Sequence, residues 1–491
     1  MKKFVVSLIC LFAIVLMLHG KPVPFGNEYD YLLRLMQAAN PNFLENDWTF
    51  STPANEHWLF NNTFGFLAKF LQIQTLAWIC RVVSWLLLLI ALLKIGELWN
   101  IKPWQIVAAI TVWLGFWQSL VGDEWIFGGF EAKVVAYICL LFALREFSTR
   151  KIIAPSILLG LSFSFHPAIG LLSGFAIGAA LLFDTFQRKI SRFDFAKFVV
   201  LTIIFGLIGA LPLISEQIVV DANANDNWRY LVLTRMPWHF DPFAFNKSNV
   251  ILLFAMFAFN VAALWRTRDF AMRFLLNFQI VLSVVFVVGV ALRFFEMFEL
   301  LKFMPFRAFP VFTPLFALFT MFRAYKFEKS KLVRLQVTSF AVLMILATNS
   351  IGIFASQIAQ NYELWTNPRS DFEIVETWIS QNTPPDSLVI QTPNRREIWY
   401  LSQRAQIANY TYPTYDNVSE WRTRIADLSG NLNIQKPENA SGELETAYEN
   451  LSDAQIEVIK RKYGATHLVS KAFYNYPVLY ESGEYKIYQL K

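Results

Sequence analysis

Ten stretches of this chain stay apolar for long enough to cross a lipid bilayer, near positions 4–20, 78–97, 104–120, 132–146, 153–184, 197–215, 249–265, 274–292, 308–323 and 335–356. A hydrocarbon layer about 30 Å thick takes about 20 apolar residues in a helix. Only a helix satisfies its backbone hydrogen bonds within one such segment, so these stretches predict a polytopic helical bundle. The scarcity of charge agrees: 16% of residues are charged, against about 25% in soluble domains. The net charge of +6 is spread over short inter-helix segments. That is a topology signal and not the footprint of a nucleic-acid binder. Cys10, Cys80 and Cys139 lie in or near apolar runs without metal-ligand spacing, which argues against a disulfide framework or a thiolate metal site.

The run IIAPSILLGLSFSFHPAIGLLSGFAIGAALLF is too long for one span and carries His166-Pro167 in its middle. Two short helices meeting there fit better, giving about eleven crossings. Basic residues support the split. If Lys2 and Lys3 are cytoplasmic, alternate connections should be basic, and they are: Lys94 with Lys102, REFSTRK, QRKISRFDFAK, RTRDFAMR and RAYKFEKSKLVR. Segments 21–77, 121–131, 216–248, 293–307 and everything after about 357 then fall on the non-cytoplasmic side. Without a break at His166, two later basic loops would lie outside. At the N-terminus, LHGKPVP offers no small-x-small cleavage site, and Cys10 comes too early for a lipoprotein box. The first helix is therefore expected to be an uncleaved anchor in a multi-pass protein of the plasma membrane.

After residue 356 the chain becomes polar, with turn clusters NTPPDS, TPN and SG. Runs such as SLVIQ, QIANYTY, THLVS and PVLYESGEYKIYQL alternate with helical stretches DFEIVETWISQN and LSDAQIEVIKRKYG. This pattern predicts a small α/β domain over 357–491, outside the membrane, beside a transmembrane domain over 1–356 with a long first outer loop, 21–77.

The charges that topology does not require gather in a few outer stretches: GNEYDYLLRL and NFLENDWTF, GDEWIFGGFEAK, RMPWHFDPF and ELLKFMPFRAF. Glu28 and Asp30 sit beside tyrosines and the apolar LLRLM, which suggests an interfacial helix along the membrane. Partial desolvation there raises a carboxylate's basicity and suits it to accept a proton from a hydroxyl. Asp47 in ENDWTF reads equally well as a helix cap. Glu124 and Glu131, with Lys133, bracket a boundary containing Gly128-Gly129, and the pair Glu131 and Lys133 also fits a mere helix end. His166 fits either a functional group at membrane depth or a partner for the broken helix's backbone. Arg235, His239 and Arg307 face these acidic stretches and suit an anionic ligand such as a phosphate near the headgroups.

In this order, with common sidedness, the stretches resemble the GT-C membrane glycosyltransferases, which use a polyprenyl-phosphate-linked sugar. The shared features are an acidic first loop (NEYDYLL, NPNFLENDWTF), the EWIFGGFEAK loop, SFHPAIG at a short helix pair, RMPWHFDPF, FMPFR before a late helix, and a soluble C-terminal domain opening WISQNTPPDSLVI. The resemblance implies a general base at Glu28 or Asp30 that deprotonates an acceptor hydroxyl, which attacks the anomeric carbon with inversion. It implies that Arg307, with Arg235 and His239, holds the donor phosphate, and that Glu124 and Glu131 orient the acceptor or bind a divalent cation. The acceptor would be a glycan, glycolipid or protein. The chain departs from the adjacent acidic pair of several such enzymes, having Glu-Tyr-Asp instead. A catalytically silent glycolipid-binding relative is one alternative. A transporter of a lipid-linked or anionic solute is another, though such proteins often carry internal symmetry and charges deep within helices, neither of which is evident here.

Overall fold

The computed structural model describes residues 2–51, 55–215, 223–327, 330–367, 369–434 and 436–490. Part of the expected fourth outer segment, 216–222, lies outside the described residues. The chain divides into two compact units. A helical unit comprises Met1–Val23, Asn55–Phe60 and Ala77–Trp365; a mixed unit comprises Pro24–Ala54, Asn61–Leu76 and Thr366–Lys491.

A helix occupies every apolar stretch of the sequence, from Lys2–His19 to Ser350–Thr366. Seven of them are long and apolar enough to cross a membrane, and the bent pair Arg334–Leu346 and Ser350–Thr366 brings the number to eight. The expectation of about eleven crossings exceeds this. Helices Pro103–Leu114 and Ile153–Phe165 have only 12 and 13 residues, roughly 18–20 Å at 1.5 Å per residue. Helix Ala132–Phe147 carries Lys133, Arg145 and Glu146.

The break at His166 is present. One helix ends at Phe165 and the next begins at Pro167, with His166 extended between them (φ −149°, ψ 100°). Proline has no N–H to continue the first helix and suits the first position of the second. The His166 Nδ1 accepts the Ile169 N–H at 3.5 Å, capping the new helix.

Small residues bring helices Ile153–Phe165 and Arg192–Ser215 together. A Cβ on Gly209 would stand 2.5 Å from the Ser164 Cα, and one on Gly160 would stand 2.7 Å from the Thr202 carbonyl. The Ser164 hydroxyl donates to the Phe205 carbonyl at 2.6 Å and accepts the Gly209 N–H at 3.0 Å. Close backbone approach and hydroxyl bonding hold helices together where no water drives association. Helix Ala308–Phe327 is the central element, with Phe309, Phe312, Phe316 and Phe319 buried. Trp99 and Trp113 pin it by indole N–H bonds to Thr320 Oγ1 (3.1 Å) and the Val311 carbonyl (3.2 Å).

The mixed unit is built on five strands, β1 (Leu388–Ile390), β2 (Ala405–Gln406), β3 (His467–Ser470), β4 (Val478–Ser482) and β5 (Tyr485–Gln489), in the order β2-β1-β3-β5-β4. β1 runs parallel to β2 and β3, and β5 antiparallel to β3 and β4. Alternate residues feed two cores, as a pleated strand requires. Val389, Val469 and Ile487 pack with Phe372, Val375 and Ile379. Ile390, Leu468 and Tyr488 pack with Leu428, Tyr448, Ile456 and Ile459. Gly483, at φ +54°, supplies the positive dihedral that the tight β4–β5 turn needs.

Two expectations change here. The mixed unit begins at Thr366, later than 357, and it takes in most of the first outer segment. Helix Glu28–Ala39 is also not an apolar face laid on lipid. Leu32, Leu33 and Leu35 are fully buried, and Leu33 packs with Leu44 and Phe50 around Trp399. The apolar side finds its cover in protein.

Candidate functional site

In the helical unit, the segment between helices Pro103–Leu114 and Ala132–Phe147 folds back on itself. Gln118 makes this turn: its side-chain oxygen accepts the Ile126 and Phe127 N–H groups at 2.8 and 2.7 Å, and its amide donates to the Phe127 carbonyl at 3.0 Å. Trp117, Gln118 and Asp123 all adopt positive φ (63°, 67° and 47°). Such conformations cost energy in non-glycine residues and persist only where the surroundings enforce them. Gly122 also has positive φ and lies so close to Phe306 that a Cβ would stand 2.8 Å from its carbonyl oxygen. That approach lays the acidic segment against FMPFR.

Glu124 and Arg307 meet as a result. Arg307 Nε lies 3.4 Å from Glu124 Oε2. Glu124 is 1% exposed, and among the described residues its oxygens have no hydrogen-bond partner of good geometry. Beside them Glu131, at the start of helix Ala132–Phe147, pairs with Lys133 at 3.3 Å. The Lys133 Nζ also lies 3.4 Å from the ring centroid of Trp125, whose indole N–H donates to Glu131 Oε1 at 3.4 Å.

His239 comes from the short helix Pro237–Phe240. Its Nδ1 is 2.9 Å from the Gly122 carbonyl, which needs a donor, so Nδ1 carries the proton. Nε2 is left 4.0 Å from Asp123 Oδ2. Burial, then the charge of Arg307, pushes the His239 pKa down to about 3, so the ring is neutral. Burial raises the Asp123 carboxyl, against the opposing charge of Lys133. Arg235 closes a π-helical turn, Leu231–Arg235, and its charge also reaches His239. The same motif's Asp241 grips Arg293 at 3.0 Å and 3.4 Å, tying it to helix Phe270–Phe294.

His166 lies against His57, ring centroids 4.9 Å apart and ring planes tilted by 35°. Burial first, then His57, Arg307 and Lys133, hold its pKa well below the ordinary value. Glu124, Glu131, His166, Arg235, His239 and Arg307 therefore stand in one electrostatic neighbourhood. The sequence-derived set omits His57, Lys133, Trp125 and Gln118. Lys133 was legible only as a helix-end charge, and a lone histidine in NEHW carries no signal of its partner.

The remaining acidic candidates lie in the mixed unit. Glu28 opens helix Glu28–Ala39, is fully buried, and accepts the Phe25 N–H at 3.2 Å. Asp30 lies 3.6 Å from Arg396 Nε, and Arg396 also donates to Asn27 Oδ1 and to the Thr411 carbonyl. Both carboxylates sit in the first helical turn, where the helix dipole favours them. Asp47 takes the cap reading. One oxygen accepts the Thr49 N–H at 2.8 Å, and the other accepts the Trp399 indole N–H (2.6 Å) and the Gln406 N–H (2.9 Å). Burial outweighs these bonds and raises its pKa to about 6.

Among the described residues, no group of three or more His, Cys, Asp or Glu is arranged to hold a metal ion.

No family model matches the sequence, and no curated protein matches it. Solved structures do. Archaeal oligosaccharyltransferase AglB from Archaeoglobus fulgidus, in complex with an inhibitory peptide and a dolichol-phosphate, superposes with a TM-score of 0.56 at 13% identity, over 95% of this chain and 69% of AglB. The Archaeoglobus fulgidus oligosaccharyltransferase tethered by a disulfide to an acceptor peptide containing the NVT sequon gives a TM-score of 0.52 at 13% identity, with the same coverage. The chain therefore shares its fold with this oligosaccharyltransferase over nearly its whole length.

Proposed function

We propose that this chain, which shares its fold with AglB, is a GT-C membrane glycosyltransferase that moves a sugar from a polyprenyl-phosphate carrier to an acceptor hydroxyl, with inversion. The observation that carries the reading is the fold match over 95% of the chain. The buried cluster around Arg307 supports it, because such a cluster suits a charged lipid headgroup. Arg307, Arg235 and His239 hold the donor phosphate and stabilise its charge as it leaves. The acceptor is a glycan, glycolipid or protein, and Glu124 and Glu131 orient it. Glu28 or Asp30 removes the hydroxyl proton as the oxygen attacks, and Glu28 is the preferred base. Basic connections alternating along the sequence put the first outer segment and the C-terminal domain on the non-cytoplasmic face of the plasma membrane.

A divalent cation at Glu124 and Glu131 does not fit the helical unit as it stands. Each carboxylate already faces a cation, Arg307 and Lys133 respectively.

A silent glycolipid-binding relative is the second reading, favoured by the engagement of Asp30 with Arg396 and of Asp47 with Trp399 and Gln406. The decisive experiment is reconstitution of the purified chain in liposomes with a polyprenyl-phosphate sugar, plus mass spectrometry of the co-purified lipid. Transfer lost in Glu28→Gln or Asp30→Asn supports the enzyme. Bound carrier without turnover indicates the silent relative. Bulk phospholipid alone, with solute uptake into the liposomes, overturns both.

A further inference from the structure

Three basic connections of the sequence, REFSTRK, QRKISRFDFAK and RTRDFAMR, meet around one buried carboxylate. Asp184, near the end of helix Pro167–Phe186, is fully buried. Arg273 Nε and Lys189 Nζ each lie 3.7 Å from its Oδ1. At those distances neither Asp184 oxygen makes a close hydrogen bond among the described residues. The charge of Arg150 also reaches it. Arg150 follows helix Ala132–Phe147 at φ +63°, a left-handed conformation that favours glycine. Its guanidinium lies 4.6 Å from the centre of the Phe270 ring, and that of Arg273 lies 5.9 Å from the same ring. One phenylalanine thus carries two arginines.

Like charges held together repel, and Asp184 is one carboxylate facing three cations. The nearby Asp269 caps its own helix by accepting the Met272 N–H at 3.3 Å, and Asp194 pairs with Lys197 at 3.3 Å. Among the described residues Arg150 has no ion pair, only the ring of Phe270. Helices Pro167–Phe186 and Phe270–Phe294 are long and apolar enough to span a membrane, so Asp184 and Arg273, near one end of each, stand near headgroup depth. Asp184 follows His166 by eighteen residues, roughly 27 Å by helical rise. The cluster is thus at the opposite membrane boundary from the candidate site. Phe183 and Phe186, on the same helix end, are 48% and 77% exposed.

We infer that this cluster binds the phosphate of an anionic phospholipid. The planar fork of Arg150, steadied on Phe270, matches two phosphate oxygens. Lys189 and Arg273 add attraction, and the phosphate supplies the negative charge that Asp184 alone does not. The exposed Phe183 and Phe186 offer acyl chains an apolar surface beside the headgroup, which free phosphate would not use. Basic clusters at helix ends bind anionic headgroups in this way. Charge complementarity selects phosphatidylglycerol over phosphatidylcholine. The inference stands on the cluster's own chemistry and holds whether or not the chain transfers sugar.

Native mass spectrometry of the full-length chain in detergent tests it, with titrated phosphatidylglycerol, phosphatidylcholine and inorganic phosphate. The wild-type chain retains phosphatidylglycerol in preference to phosphatidylcholine. Arg150→Gln weakens that binding by about tenfold, the loss expected for a charge-assisted pair. Phe270→Leu keeps every charge but releases the two guanidiniums, and weakens binding by about threefold. Arg192→Gln removes a charge from the connection that holds Lys189, outside the cluster, and leaves binding unchanged. Equal losses in Arg150→Gln and Arg192→Gln would overturn the site in favour of diffuse attraction by the basic connections. Unchanged binding in both Arg150→Gln and Phe270→Leu would overturn it as well. Displacement of the lipid by millimolar inorganic phosphate would overturn the lipid as occupant.

Discussion

Arg307 Nε stands 3.4 Å from Glu124 Oε2, and the Glu124 side chain is shielded from solvent. A buried pair of this kind is costly to break from one side, because the survivor keeps its desolvation penalty. Arg307→Ala should destabilise the chain by about 3–5 kcal/mol, and Arg307→Ala with Glu124→Gln by clearly less. Arg307→Lys keeps the charge and loses the planar fork, so donor transfer should fall at least about tenfold while the fold survives. Thermal unfolding in detergent and transfer kinetics read the two effects separately.

The imidazole of His239 gives the helical unit a pH dependence of known sign. Its pKa is depressed to about 3 in the folded chain, against about 6.5 unfolded. Below 6.5 the unfolded chain takes a proton that the folded ring refuses, so stability falls as pH drops from 6.5 toward 3. His239→Asn retains an N–H for the Gly122 carbonyl and removes the titration. The acid limb of the melting curve should flatten in that variant. An unchanged limb would assign it to another group whose pKa the fold lowers, such as His166.

Asp47 should be a structural residue with the opposite sign. Its pKa is raised to about 6, so the folded state binds the proton more readily and this group's contribution grows as pH falls from 6 toward 4. Asp47→Ala leaves the Thr49 and Gln406 N–H groups and the Trp399 indole without their acceptor. A loss of about 2–4 kcal/mol follows from those orphaned donors. Proteolysis of the full chain, followed over residues 24–54 and after 366, reports on it.

Glu28 and Asp30 should separate by kinetics. Asp30 faces Arg396 Nε at 3.6 Å, whereas Glu28 is fully buried at the start of its helix. Glu28→Gln should reduce transfer by about 10²-fold or more, the usual contribution of a general base. Asp30→Asn should cost less and should act partly through the Asn27–Arg396 contact. Equal, small losses in both variants would point to the silent relative.

Much of this was legible in the sequence because the signals are local. Proline after His166 breaks a helix wherever it occurs, and alternate Val389 and Ile390 announce a strand covered on both faces. Charge alternation along the chain was enough to group Glu124, His239 and Arg307, which the fold brings together. Partnership was not legible. Nothing local to GNEYDYLLRL says that Leu33 will lie on Trp399 or that Asp30 will meet Arg396, so the apolar face was assigned to lipid. Run length alone does not set helix length: the run 104–120 holds a helix of 12 residues, Pro103–Leu114, bounded by Pro103 and Gly115.

Lys133 offers the sharpest test of the cluster's electrostatics, since its sequence context reads as no more than a helix end. It is 4% exposed, lies 3.3 Å from Glu131, and stands over the Trp125 ring. A lysine is buried this deeply only when charge and ring together repay its lost hydration. Lys133→Met removes the cation that faces Glu131, so stability should fall by about 3–5 kcal/mol. Adding Glu131→Gln neutralises the survivor and should recover about 1–3 kcal/mol, a coupling that a double-mutant cycle measures directly. If the double variant is no more stable than Lys133→Met, the pair carries no coupling, and Lys133 is held by Trp125 alone.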